Sequence, residues 1–387
     1  MKGASMSRRG NGEGSIYPFV RDGVKVGYRG SYWVETTSGP KRRYITGKTR
    51  EDVRDRLAKA ISDRAGGMIF DAGEITTAEY LARWLPDSVL GTVRDSTYRS
   101  YERVVSLHLI PGLGRIKLTK LRPDHIRRLY RAMLDSGKAT RTVQYAHTLL
   151  KRALNQAVMD ELLPRNVAAA VKPPKLEREE ITPLNASQVN ALLASAEENE
   201  DRLCAFYAVA VRTGMRPGEM LALRWSDIDF DSPDGATATA QINRSLSDGK
   251  FTPPKTARSR RRIALSTVTV SVLKAHRKKQ LEERLARAGL WEDHDLVFPS
   301  SVGTPKNHRN LNREFKIAAE RAGLPQHFRL YDLRHTCATL LLSRNIHPKY
   351  VQELLGHASI ALTLDTYSHV IPGMDGKTGS AIDEALG

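Results

Sequence analysis

The chain has 387 residues, too many for one ordinary core and enough for two or three domains. Its 61 Lys and Arg against 43 Asp and Glu leave a net charge of +18 and a pI near 9.9, spread over the whole length. That surplus suits a polyanion such as nucleic acid; a membrane-surface protein would gather it on one amphipathic helix, and no run approaches the ~18 apolar residues that cross a bilayer.

In chain order, residues 1–17 are basic and glycine-rich without an apolar core, and so do not read as a secretory signal. Ile16 to Val20, Gly27 to Glu35 and Arg42 to Thr46 carry the aromatic and β-branched residues of strands, with turns at Asp22-Gly23 and Ser38-Gly39-Pro40. Thr49 caps an expected helix over Arg50 to Ala65, with Val53, Leu57 and Ala60/Ile61 at helical spacing. Half of the aromatics pack on that helix; Tyr28, Arg29, Trp33, Lys41, Arg42 and Arg43 are candidates for contact with a DNA groove.

After a linker at Gly66-Gly67 the pattern is helical from Thr76 to about Val171. Thr77 starts one run, Ser96 caps a second, Pro123 opens a third in its first turn, and Val143 to Val158 form a long fourth. Arg127, Arg128, Arg141, Lys151 and Arg152 lie on or beside the polar faces, which serve either solvation or DNA contact. Lys172-Pro173-Pro174-Lys175 and Glu177 to Glu180 make a stiff charged link. Residues 181–387 follow as the largest unit, helical except for short strands between about 225 and 265. Cys204 and Cys337 sit in apolar helix-like runs and read as reduced, buried thiols of a cytosolic protein, without a His-Cys cluster for a metal.

Four places in this last unit carry chemistry. In Thr213-Gly214-Met215-Arg216-Pro217-Gly218-Glu219, Gly214 can end a helix in the left-handed conformation and Pro217 can open the next. Arg216 is then presented on a defined turn, and Glu219 falls where it can cap backbone N–H groups. Pro253-Pro254-Lys255 braces a turn before a basic strand, whose Arg258 to Arg262 either hold a nucleic-acid backbone or form a plain basic edge. Tyr331, Arg334 and His335 open a helix and can share one face. Gly356 stops a further helix just before His357, and Tyr367 follows ten residues later.

The segments TGMRPGEMLALRW, PPKTARSRR, LYDLRHT and LLGHASIALTLDTYSHV together resemble the tyrosine recombinase (phage integrase) family in type, order and spacing. The resemblance implies a multidomain, mainly α protein with small β elements. Residues 12–66 would be an arm-type DNA-binding domain of three strands and a helix, 75–171 a helical core-type DNA-binding domain, and 181–387 a mixed, mainly α catalytic domain. It implies a site-specific integrase that joins strands through a 3′-phosphotyrosyl intermediate to integrate and excise a phage or other mobile element. A Xer-like resolvase and a non-catalytic DNA-binding regulator are the alternatives on the same scaffold.

By the same resemblance Tyr367 is the nucleophile, Arg216 and Arg334 clamp the phosphate oxygens, Lys255 is the general acid and His357 donates to phosphate. Arg258 and Arg260 join the DNA-binding set. No metal, ATP or other cofactor is implied. The implied partners are double-stranded attachment sites, a tetramer on DNA, and an excisionase or host DNA-bending protein, with no membrane and a cytoplasmic, nucleoid-associated location. Tyr331 stands where the family usually has a histidine. A phenol can donate to phosphate but is a poor proton acceptor at pH 7, so the proton of Tyr367 is expected to go to water, His335 or His357. Asp332 and His335 are expected to buttress the helix, and the segment after Tyr367 to dock on a neighbouring copy. Affinity for duplex DNA should fall steeply between 50 and 200 mM salt, by on the order of 10³-fold or more if six or so phosphates are contacted; a flat salt response in filter binding would contradict a phosphate-led interface.

Overall fold

Short alternating segments between residues 15 and 47 leave one economical arrangement, an antiparallel meander, which the helix that follows closes. The computed structural model describes residues 15–21, 24–36, 39–65, 75–176, 182–230, 238–254, 260–367 and 386. Within these, β1 (Ser15–Arg21), β2 (Val24–Thr36) and β3 (Gly39–Gly47) pair in the order β1-β2-β3, all antiparallel. The expected turn residues Asp22, Gly23 and Ser38 lie outside the described residues. The helix α1 (Arg50–Ala65) starts where Thr49 Oγ1 accepts the Asp52 N–H, 3.1 Å away. Its Val53 and Leu57 are buried over Gly30, where a Cβ would stand 3.0 Å from Val53, so the bare glycine lets helix and sheet approach.

The next set is helical: α2 (Thr77–Trp84), α3 (Asp95–Val104), α4 (Ile110–Leu113), α5 (Pro123–Asp135) and α6 (Thr140–Met159). Thr76 and Glu79 cap α2 reciprocally. Arg94, not Ser96, is the cap residue of α3: its carbonyl accepts the Thr97 and Tyr98 N–H groups, which places Ser96 inside the first turn. Wide π-type turns at Leu85–Val89 and Val105–Leu109 continue α2 and α3. The apolar stripes meet in one core that includes Leu81, Trp84, Leu109, Ile126, Val143, Leu150 and Leu154. Two buried phenols are satisfied there, Tyr80 by the Ala153 carbonyl (2.7 Å) and Tyr130 by His147 Nδ1 (2.8 Å).

The chain divides into two compact units at Arg178/Glu179, and no helix among the described residues is long and apolar enough to cross a membrane. The second unit begins with α7 (Ala186–Glu198), α8 (Cys204–Thr213) and α9 (Pro217–Leu221). Then come β4 (Ile228–Asp229), β5 (Thr239–Ile242), β6 (Ser245–Ser247), β7 (Lys250–Thr252) and β8 (Arg261–Ala264), arranged as an antiparallel β4-β5-β8 sheet and a β6-β7 hairpin. It ends with α10 (Thr267–Ala286), α11 (His308–Arg321), α12 (Asp332–Ser343), α13 (Pro348–Leu355) and α14 (Ile360–Tyr367).

Phe206 to Val211 of α8 are all buried, as a helix apolar on every side must be, and α7, α10 and α12 pack around it. Edge-to-face pairs of Phe206 with Phe298 (5.1 Å) and Tyr207 with Phe315 (5.5 Å) key the core. Cys337 is buried as expected, but Cys204 is only half-buried, because the first turn of α8 lies at the margin of the core.

Gly214 ends α8 at φ +60°, and a Cβ there would stand 2.7 Å from Leu355 Cδ2. Gly214→Ala should therefore cost roughly 1–2 kcal/mol for the left-handed backbone and about 1 kcal/mol or more for crowding. An unchanged urea midpoint would show that neither constraint holds.

Candidate active site

Arg216 follows the Gly214 turn in extended conformation (φ −68°, ψ 146°), and Pro217 occupies the first position of α9. Glu219 caps this helix start by accepting the Arg216 N–H at 2.9 Å, as its spacing suggested. It also does more. Its carboxylate is 3% exposed and takes Arg216 Nη1 (2.7 Å) together with Arg261 Nη1 (3.2 Å) and Nη2 (2.8 Å). Burial alone would raise its pKa, but the hydrogen bonds and charges of Arg261 and Arg216 outweigh it and hold the group below the usual carboxylate range. Arg261 Nε also donates to the Leu354 carbonyl (2.6 Å), so this residue of the basic strand is engaged within the protein.

Arg334, in the first turn of α12, is 2% exposed. Nη1 donates to the Gly214 carbonyl and Nη2 to the Leu355 carbonyl, each at 2.7 Å. Its pKa is drawn down to about 10 by burial and then by the like charge of Arg216. Arg216 Nη2 reaches the next carbonyl, Gly356, at 3.5 Å. The two arginines thus converge on the end of α13. Tyr331 stands at the cap of α12 in helical conformation (φ −64°, ψ −25°), 42% exposed, three residues before the buried Arg334. Asp332 buttresses the helix start as expected, accepting from the Arg329 side chain (3.1 Å) and backbone N–H (2.8 Å).

His335 departs from its expected role as a buttress. Its Nδ1 lies 2.7 Å from the hydroxyl of Tyr367, and its ring sits edge-on to Tyr331, centroids 5.5 Å apart. Tyr367 ends α14, 1% exposed, packed with Ala338, Leu342, Val351 and Leu355. Burial raises its pKa, and Arg334 opposes that only in part. His357 follows the left-handed Gly356 cap (φ +65°); its Nδ1 lies 2.9 Å from Thr363 Oγ1, and its carbonyl accepts from Gln352 (2.7 Å). Burial and then the positive charges of Arg334 and Arg216 hold its pKa at about 4. A cleft of about 590 Å³ opens beside it, lined by Arg261, Lys349, Gln352, Gly356 and Ser359 among others. Three guanidiniums here face the single buried carboxylate of Glu219, since Asp332 is engaged by Arg329, and the excess positive charge calls for an anion.

Lys255 and Arg258 lie outside the described residues, as does the segment after Tyr367 apart from Leu386. Arg260 is exposed ahead of β8. In the N-terminal sheet Trp33 is 54% exposed and Arg43 exposed, Tyr28 accepts from Lys25 Nζ (2.8 Å), Arg29 stacks on Phe19 (3.6 Å) and Arg42 donates to Ser31 (2.9 Å); the Lys41 side chain is not among those described. Arg128, Arg141 and Lys151 are exposed on α5 and α6; Arg127 pairs with Asp124, and Arg152 donates to the Tyr101 hydroxyl (3.2 Å). Among the described residues no group of three or more His, Cys, Asp and Glu is arranged to hold a metal ion.

Residues 183–373 match the model of the phage integrase family, and residues 76–134 that of the phage integrase N-terminal SAM-like domain. An integrase of Streptomyces ambofaciens is 31% identical, the match covering 88% of each chain. A protein named tyrosine recombinase XerC-like, of Caldanaerobacter subterraneus subsp. tengcongensis, is 27% identical over 86% of this chain and 88% of its own. In fold the chain is similar to the Tn1549 transposon integrase in complex with transposon right end DNA (TM-score 0.68, 19% identity, 80% of this chain and 100% of that one). It is also similar to the lambda integrase tetramer bound to a Holliday junction (TM-score 0.59, 20% identity, 91% and 94%).

The low pKa of His357 has a consequence for stability. Between about pH 6.5 and 4 the unfolded chain binds a proton at this residue that the folded chain does not, so its contribution is present above about 6.5 and is lost as pH falls toward 4. His357→Gln should flatten that part of the melting-temperature profile. Parallel profiles for the two proteins would refute this.

Proposed function

The chain belongs to the phage integrase family of tyrosine recombinases, and we propose that it breaks and rejoins DNA at specific attachment sites to integrate and excise a phage or other mobile element. The observation that carries the reading is the convergence of Arg216 and Arg334 on the Leu355–Gly356 turn, one residue before His357 and beside the helix that ends in Tyr367. Residues distant in sequence meet at one electropositive centre, with a phenol whose ring neighbour can accept its proton.

In this reading the Tyr367 oxygen attacks a DNA phosphorus to form a 3′-phosphotyrosyl ester and release a 5′-hydroxyl. Charge on the five-coordinate phosphate is met by Arg216 and Arg334. A guanidinium carries five N–H donors. Arg334 commits two to carbonyls, which fixes its plane while further donors remain for phosphate oxygens. Such preorganisation spares the reorganisation that water would need. His357 adds a donor beside them, and Lys255 protonates the leaving 5′-oxygen. The ester conserves the phosphodiester's energy, so rejoining needs no nucleotide.

Residues 12–66 and 75–171 serve as arm-type and core-type DNA-binding domains ahead of the catalytic 181–387. Exposed basic residues such as Arg43, Arg128 and Lys151 are placed to meet phosphates. The working form is a tetramer on DNA, with an excisionase or host DNA-bending protein setting direction. Tyr367→Phe should abolish the covalent adduct on a nicked attachment site while DNA affinity stays within a few-fold. An adduct that survives the substitution would move the nucleophile elsewhere.

A further inference from the structure

We propose that His335 is the catalytic base of this site, taking the proton of Tyr367 as a strand is cut and returning it as the strand is rejoined. The proposal rests on the recombinase reading above and deepens it. Its basis is the 2.7 Å contact between His335 Nδ1 and the Tyr367 hydroxyl. Proton transfer requires hydrogen-bond reach before anything else, and this contact supplies it.

The surroundings narrow the choice of acceptor. Tyr331 offers a hydroxyl, which can donate a hydrogen bond but is a poor acceptor for a further proton. Asp332 accepts from Arg329 on both carboxylate oxygens, and His357 Nδ1 is engaged with Thr363. His335 is therefore the acceptor placed on the phenol itself. A phenol that donates to Nδ1 requires the tautomer with its proton on Nε2. The charged groups bearing on His335 are Asp332, Arg334 and Arg329, with His357 opposite and Tyr367 on the packed helix α14. Burial and the neighbouring arginines keep the imidazole neutral, which leaves its lone pair available. A bound phosphodiester would lower the cost of the imidazolium that forms.

The step balances. The Tyr367 oxygen forms a bond to phosphorus and the bond from phosphorus to the 5′-oxygen breaks. The phenolic proton passes to His335 Nδ1, and the 5′-oxygen takes a proton from an ammonium group, assigned above to Lys255. Rejoining runs the same transfers in reverse.

The test uses the full chain and a nicked duplex carrying the core repeat recovered from the ends of the integrated element. Two leaving groups are compared, the natural 5′-oxygen and a bridging 5′-sulfur that departs without an acid. His335→Asn offers an oxygen that can still accept a hydrogen bond but cannot take the proton, and His335→Gln is the second variant in case the first folds poorly. Both should cut on the order of 10²-fold more slowly with either leaving group. Duplex affinity should be retained, the dependence on the base's ionisation lost, and activity partly recovered at high pH. Cutting within threefold of wild type in both His335 variants, with an unchanged pH profile, overturns the proposal. So does full rescue by the sulfur leaving group, which would place His335 at the other oxygen. Absence of any Tyr367 adduct in the wild-type chain would instead sink the recombinase reading on which the proposal rests.

Discussion

The second unit depends on one buried cation. Arg334 is 2% exposed, and a guanidinium removed from water is costly unless its N–H groups find good acceptors. It finds them in the Gly214 and Leu355 carbonyls, and hydrogen bonds from a charged donor contribute about 1.5–3 kcal/mol each. Both acceptors stand beside left-handed glycine turns, at the ends of α8 and α13, where helix termination leaves carbonyls in need of donors. The same bonds that satisfy Arg334 hold three stretches of chain in register. They also fix where Arg216 and His357 stand, since one follows Gly214 by two residues and the other follows Leu355 by two.

Around this pin the charges do not cancel. The one carboxylate of Glu219 pairs with both Arg216 and Arg261, and its burial makes those bonds strong, but the hydrogen bonds of Arg334 go to carbonyl dipoles and not to a carboxylate. Burial, and then the unmet positive charge, draws down the pKa of His357 and of Arg334 itself. Such a centre is strained without an anion and relieved by one, which is the electrostatic condition a phosphate-transferring site requires. The arrangement also explains why Glu219 serves as more than a helix cap: without it two adjacent guanidiniums would repel across the turn that presents them.

Much of this was legible in the order of residues. The Gly214 stop, the Pro217 start and the capping by Glu219 are local matters, decided within a turn or two of backbone, and spacing is enough to read them. The apolar stripes of α2, α5 and α6 are equally local, because periodicity follows from helix geometry. Reading failed where two local solutions compete. Ser96 is a good cap residue, yet the cap falls two residues earlier at an extended Arg94 and α3 begins at Asp95.

By itself the sequence determined the kinds of element, which rest on neighbours within a few turns of backbone, and the family resemblance, which rests on the order and spacing of four motifs. Only the tertiary structure decided which residues touch. Arg261 reads as one more residue of a basic strand until Glu219, 42 positions away, draws it inward. His335 reads as a buttress until α14 brings Tyr367 to its ring across 32 residues. Pairing over such distances is set by how whole helices pack, and the side-chain period of one helix carries no information about which partner will lie against it.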